Sequence, residues 1–63
     1  MDKFRLEYEM KKKGVSIKDM CDVLGISRSA FYRKMNEKSQ FTKRQIEIIV
    51  DFLDLGSPMG IFF

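Results

Sequence analysis

Stops and starts recur at short intervals along this chain of 63 residues, and they confine it to short helices. Gly14, Gly25 and Gly56 each close a run of helix-forming residues, while Ser16, Ser27 and Thr42 each open the next run. Glycine can leave a helix through the left-handed region, where a Cβ would cost about 1 kcal/mol or more. A Ser or Thr hydroxyl accepts a hydrogen bond from an otherwise orphaned amide of the first turn. Such punctuation predicts a helix over 2–13 and another from Ser16, where Ser16 and Asp19 are spaced as in a capping box. A third runs from Ser27 to about Asn36, then a loop over 37–41, then a fourth from Thr42, paired with Gln45, to about Leu53. Ser57-Pro58 reads as an N-cap and N1 proline opening a last short turn. No stretch alternates with the period of a strand. The expected fold class is all-α, a bundle of about five short helices in a single domain, 1–63.

Apolar spacing supports the same elements. Ile17, Met20, Cys21 and Leu24 make one stripe, and Ile46, Ile49, Val50 and Leu53 make another. Ile48, Phe52 and Leu55 fall roughly opposite the second stripe, so the fourth helix is apolar on two sides. The first helix offers two pairs, Phe4/Tyr8 and Leu6/Met10, on different faces, and periodicity does not choose between them.

Composition narrows the chemistry. A chain this short buries only about 60% of its unfolded surface. Its one cysteine allows no intrachain disulfide, and it has no histidine. Zinc-type ligand clusters and neutral-pH acid–base catalysis therefore lose their usual residues. No nucleophile–base pair or phosphate loop stands out, which points away from an enzyme, a cofactor, a metal or a small-molecule ligand. The N-terminal stretch is too polar for a secretory signal or a membrane span, and a lone thiol suits a reducing compartment, so a cytoplasmic protein is expected. Cys21 itself reads as a buried structural thiol, and the methionines as core filler.

Charge is uneven. Six cations lie between Arg28 and Arg44 against the single acid Glu37, although the whole chain carries only +3. Concentrated positive charge is the footprint of a nucleic-acid binder, and equally of a plain solvated face. What separates the two readings is the unit over 16–36: helix, Gly25-Ile26-Ser27, helix. Two short helices joined by a tight glycine turn meet at about 90–120° and hold the second proud of the surface. Met20, Leu24, Ile26 and Phe31 supply the apolar wedge beneath, and Phe31, Met35 and Ala30 share the inner face of the second helix. Its outer face carries Arg28, Ser29, Tyr32, Arg33 and Asn36, which are hydrogen-bonding or cationic groups suited to a major groove.

The stretch VSIKDMCDVLGISRSAFYRKMNEKSQFT resembles the Cro and repressor type of regulators found in phage and bacteria (lambda repressor-like, XRE-type). The likeness extends from the first helix to IEIIVDFLDLGSP. It departs at Ile17, where the family often has a phosphate-binding glutamine, and at Cys21, usually alanine. The resemblance implies a transcriptional regulator, repressor or Cro-like, that reads a double-stranded DNA operator as a homodimer, in a bacterial cytoplasm or nucleoid and of phage or prophage origin. By the same resemblance, Arg28, Ser29, Tyr32 and Arg33 hold the base-reading positions. Arg28 would pair with a guanine edge or contact a phosphate; Tyr32 would meet a thymine methyl or a phosphate, or pack as a surface aromatic. Phosphate contacts are expected from Ser16, Ile17, Lys18, Ser27, Lys34, Asn36, Lys38 and Lys43, with Arg33 also in reach of the backbone. Ser16, Ile17 and Lys18 open a helix whose amides bind phosphate whatever the side chains.

The tail is strongly apolar. Met59, Ile61, Phe62 and Phe63, with Ile48 and Phe52, are candidate dimer contacts, unless the tail folds beneath its own fourth helix. A second function class stays open: a helix-turn-helix module that binds a protein, as an antirepressor or inhibitor, with DNA affinity secondary.

Overall fold

The computed structural model describes all residues, 1–63. Four helices form: α1 (Lys3–Lys12), α2 (Ile17–Leu24), α3 (Arg28–Met35) and α4 (Lys43–Phe52). Each begins where a side chain captures an N3 amide. Asp2 accepts from Arg5 N at 3.1 Å, Ser16 from Asp19 N at 3.0 Å, Ser27 from Ala30 N at 3.1 Å and Thr42 from Gln45 N at 3.1 Å. The boxes at α2 and α4 are closed reciprocally: Asp19 accepts from Ser16 N at 3.0 Å, and Gln45 from Thr42 N at 2.9 Å.

The expected fifth helix is one hydrogen-bonded turn. Phe62 N donates to Pro58 O at 3.0 Å, while Ser57 Oγ accepts from Met59 N two residues on rather than three. Gly60 at φ +87° interrupts helical backbone within this turn. A single turn fixes several residues for one bond and does not propagate.

Ten apolar residues and no polar one make up the buried core. α1 contributes Leu6 and Met10, leaving Phe4 and Tyr8 in solvent, which settles the choice periodicity left open. α2 contributes Met20 and Cys21, α3 Phe31 and Met35, and α4 Ile49, with Leu53 just beyond it. Ile17, Leu24, Ile26 and Ile46 pack around this center, partly exposed. Two further members come from outside the helices. Phe41, in the loop before α4, packs edge to face on Phe31 and on Phe62, with ring centroids 6.0 and 5.9 Å apart. Ile61, from the C-terminal turn, is 4% exposed, and its carbonyl accepts from Asp2 N at 2.7 Å. Ile61 was a candidate dimer contact; its burial inside its own domain removes it from that role. Of the tail, Met59 and Phe63 remain exposed and Phe62 half-buried.

Candidate nucleic-acid interface

The turn between α2 and α3 has the expected local chemistry. Gly25 sits at φ +68°, and Ile26 N donates to Cys21 O at 3.1 Å as the chain leaves α2. Ile26 is half-buried, so the turn is anchored from beneath, and Ser27 starts α3 at once. Cys21, small and 7% exposed, lies on the inner face of α2.

α3 divides sharply. Phe31 and Met35 face the core, whereas Arg28, Ser29, Tyr32, Arg33 and Asn36 are exposed. The side chains of Arg28, Ser29 and Arg33 make no hydrogen bond or ion pair within the domain, so their donors are free for a ligand. Tyr32 meets Phe31 edge on at 6.4 Å and is 48% exposed, combining a partial packing role with an accessible hydroxyl. The four positions expected to read bases therefore share one solvent face of a helix fixed from below.

The phosphate-contact set is less uniform. Lys38 and Lys43 are exposed and unpaired, as is Arg44. Lys34 is half-buried: its ammonium donates to Gln40 O at 2.9 Å and lies 5.8 Å from the Phe41 ring centroid, so it braces the loop after α3. Asn36 accepts from Lys3 Nζ at 3.2 Å. That bond brings a cation from α1 to the C-terminal end of α3, a placement no local pattern announces. At the start of α2, Ser16 is occupied in its capping box and Ile17 is half-buried, but the amides of Ile17 and Lys18 have no partner. Lys18 donates to Asp22 at 2.9 Å, and that bond to the carboxylate, then the carboxylate's charge, raises the lysine above its ordinary range. A phosphate here would rest mainly on the free amides, with Lys18 shared. Ser27 likewise caps α3 through its hydroxyl and leaves the amides of Arg28 and Ser29 without partners.

The acids near this face are held ionised by specific donors. Asp19 is kept below the usual carboxylate range by the Ser16 amide first, then the Ser16 hydroxyl region. Glu37, at φ +60°, accepts from the Met1 ammonium at 2.8 Å; that bond and the ammonium's charge lower its carboxyl. Glu37 is the only acid among the cations of 28–44, and its charge is met by the N-terminus rather than by any of them. No group of His, Cys, Asp and Glu is placed to hold a metal ion. No helix is long and apolar enough to cross a membrane.

A glycine-turned helix pair with a cationic, hydrogen-bonding outer helix defines a helix-turn-helix DNA-binding domain. Residues 5–57 match the family model of the Cro/C1-type HTH DNA-binding domain, and the chain belongs to that family. No curated protein and no solved structure matches the chain significantly. The match spans all of α2, α3 and α4, so DNA is the partner class of the domain, consistent with a regulatory role.

Proposed function

We infer that this protein is a transcriptional regulator, repressor or Cro-like, that recognises a particular double-stranded DNA operator with α3. The observation that carries this reading is the outer face of α3, where Arg28, Ser29, Tyr32 and Arg33 stand exposed beside a buried Phe31. Arg28 is placed in the first turn of α3, where a guanidinium reaches a guanine O6 and N7 as the helix enters a major groove. Lys38 and Lys43, on the loop and the start of α4, suit phosphates flanking that groove, and the amides of Ile17 and Lys18 suit one on the other side.

Symmetric pairing of two copies would set two such helices about 34 Å apart. The surface that favours pairing is the tail. Exposed Phe63 lines a groove with Phe41, Ile46, Pro58 and Phe62, whose rim also carries Lys34, Glu37, Lys43 and Glu47, and exposed Met59 lies on the same C-terminal turn. The exposed Phe63 ring beside the Phe41, Ile46 and Phe62 side chains suits an isologous contact, each copy covering the other.

Selection from a random duplex library at near-physiological salt tests this reading. An enriched motif with two-fold symmetry supports operator binding by a dimer, and an asymmetric motif supports a monomer. Bulk, salt-sensitive binding without enrichment would overturn sequence recognition and favour the protein-binding module.

A further inference from the structure

Asn36 caps α3 at a place that is poor for an anion by itself. It follows Tyr32 and Arg33 by four and three residues, so it continues the exposed face of α3 to the helix C-terminus. The helix dipole disfavours a phosphate at that end, and an amide side chain carries no charge to offset it. Of the two cations in the last turn of α3, Lys34 is engaged with Gln40 O, and Arg33 stands three residues back.

Lys3 of α1 supplies the missing charge. Its ammonium donates to Asn36 Oδ1 at 3.2 Å and lies 5.5 Å from the Phe4 ring centroid, and it makes no other hydrogen bond and no ion pair. A lysine ammonium has three donors and no acceptor, so the Asn36 oxygen faces it and the amide nitrogen faces away. That nitrogen has no partner in the domain. One bond thus presents the spare ammonium donors and the amide donors side by side, at the edge of the exposed face of α3.

Three acids stand close by. Asp2 caps α1 through Arg5 N, and Glu37 is bonded to the Met1 ammonium. Glu7, one turn after Lys3, is exposed and unpaired, and it lines a hollow between α1 and α3 together with Lys3, Tyr32 and Asn36. Lys3 is the only cation on that hollow. Without it, an anion at Asn36 would meet only the negative end of a helix and the Glu7 carboxylate.

We infer that Lys3 and Asn36 together hold one phosphate of the DNA backbone at the C-terminal end of α3, with Lys3 reaching it from outside the helix-turn-helix. The inference rests on the reading that α3 faces DNA, but not on sequence recognition, because a phosphate contact positions without specifying a base. Lys3 brings the charge and, through Oδ1, fixes the direction of the asparagine's donors. The free amides of Arg28 and Ser29 lie at the opposite end of α3, so the helix is gripped at both ends and its register along the groove is set.

Duplex binding measured over a range of salt tests the pair, with the selected duplex and an unrelated one. Lys3→Met keeps the stem and removes the charge. It should weaken both duplexes several-fold by a similar factor and lower the slope of log affinity against log salt by about 1. Lys3→Arg should restore the slope. Asn36→Ala should weaken both duplexes and leave the slope unchanged, and the double variant should lose less than the product of the two single losses. A merely structural bond would move the melting temperature and not the slope. An unchanged slope in Lys3→Met, or single losses that multiply, overturns the proposal while DNA binding stands. A parent that binds duplexes without an enriched motif overturns sequence recognition alone, and the slopes still decide this contact. A parent that binds no duplex overturns both.

Discussion

Phe31 of α3 and Phe41 of the following loop meet edge to face, their ring centroids 6.0 Å apart, and this contact ties α3 to the C-terminal turn through Phe62. Phe41 is 8% exposed although it lies outside every helix. Replacing it by alanine removes the ring shared by Phe31 and Phe62 and leaves the loop without an anchor. Phe→Ala in a core costs about 3–5 kcal/mol, comparable to the whole stability of a domain this small. Phe41→Ala should therefore be largely unfolded at 25 °C by far-UV circular dichroism, and Phe62→Ala, half-buried, should lose less. A Phe41→Ala protein that melts within a few degrees of the parent would show that the loop anchors nothing.

Gly25 can be tested apart from packing, because a Cβ built there meets nothing within 4 Å. Its φ of +68° is the only obstacle to a larger residue. Gly25→Ala should then lower the unfolding free energy by about 1 kcal/mol, the left-handed penalty net of the entropy removed from the unfolded chain. Gly25→Asn should recover part of the loss, since asparagine visits this region more readily. Equal stability of the three proteins in urea titrations would show that the turn tolerates another conformation.

The contrast between Gly25 and Phe41 shows what the sequence made legible. Caps and stops are local chemistry: Ser16 with Asp19, Thr42 with Gln45 and Gly25 can each be read from a few neighbours, and all were found in place. The face of α3 followed from helical spacing once its start at Ser27 was fixed. Phe41 and Ile61 enter the core through contacts between segments distant in the chain, which no periodicity encodes. Two equal apolar pairs on α1 gave the same difficulty, decided only by packing. Lys34 looks like any surface cation in the sequence, and its role as a brace depends on where Gln40 and Phe41 fold back.

Acid should weaken the fold through Asp19 and Glu37. Both carboxyls are held below their ordinary values by bonds to Ser16 and to the N-terminal ammonium respectively. A lowered folded-state pKa contributes stability that is present above the unfolded value, about 4, and is lost as pH falls through the folded value. Unfolding free energy should thus decline below about pH 4, and Asp19→Asn or Glu37→Gln should each flatten part of that decline. Lys18 has the opposite sign: with its pKa raised by Asp22, its contribution is lost only as pH rises through the alkaline range. Denaturant melts between pH 2 and pH 7 check the acid limb, and an unchanged slope in both variants would remove these two groups from it.

The tail divides between folding and association. Ile61 is in the core and should behave as a core residue, with Ile61→Ala costing about 2–5 kcal/mol. Phe63 is 77% exposed, so Phe63→Ser should leave the melting temperature nearly unchanged while shifting the protein toward monomer. Sedimentation equilibrium beside thermal melts separates the two effects. A Phe63→Ser protein that associates like the parent would remove the tail from the pairing surface.

Reading and positioning should separate at Arg28 and Lys38. Both are exposed and free of partners in the domain, but Arg28 opens the outer face of α3 and Lys38 lies in the loop beyond its end. A bidentate arginine–guanine contact discriminates by about 1–3 kcal/mol, so Arg28→Ala should bind the selected site weakly and relax preference at one base position. Lys38→Ala should weaken selected and unrelated duplexes by a similar factor. It should also reduce the slope of log affinity against log salt by about 1, because one phosphate contact releases roughly one counterion. Titrations of both variants against the selected duplex, its single-base changes and an unrelated duplex distinguish these patterns. If Arg28→Ala lowers affinity for all duplexes equally and also flattens the salt slope, Arg28 contacts phosphate, and base recognition passes to Ser29, Tyr32 and Arg33.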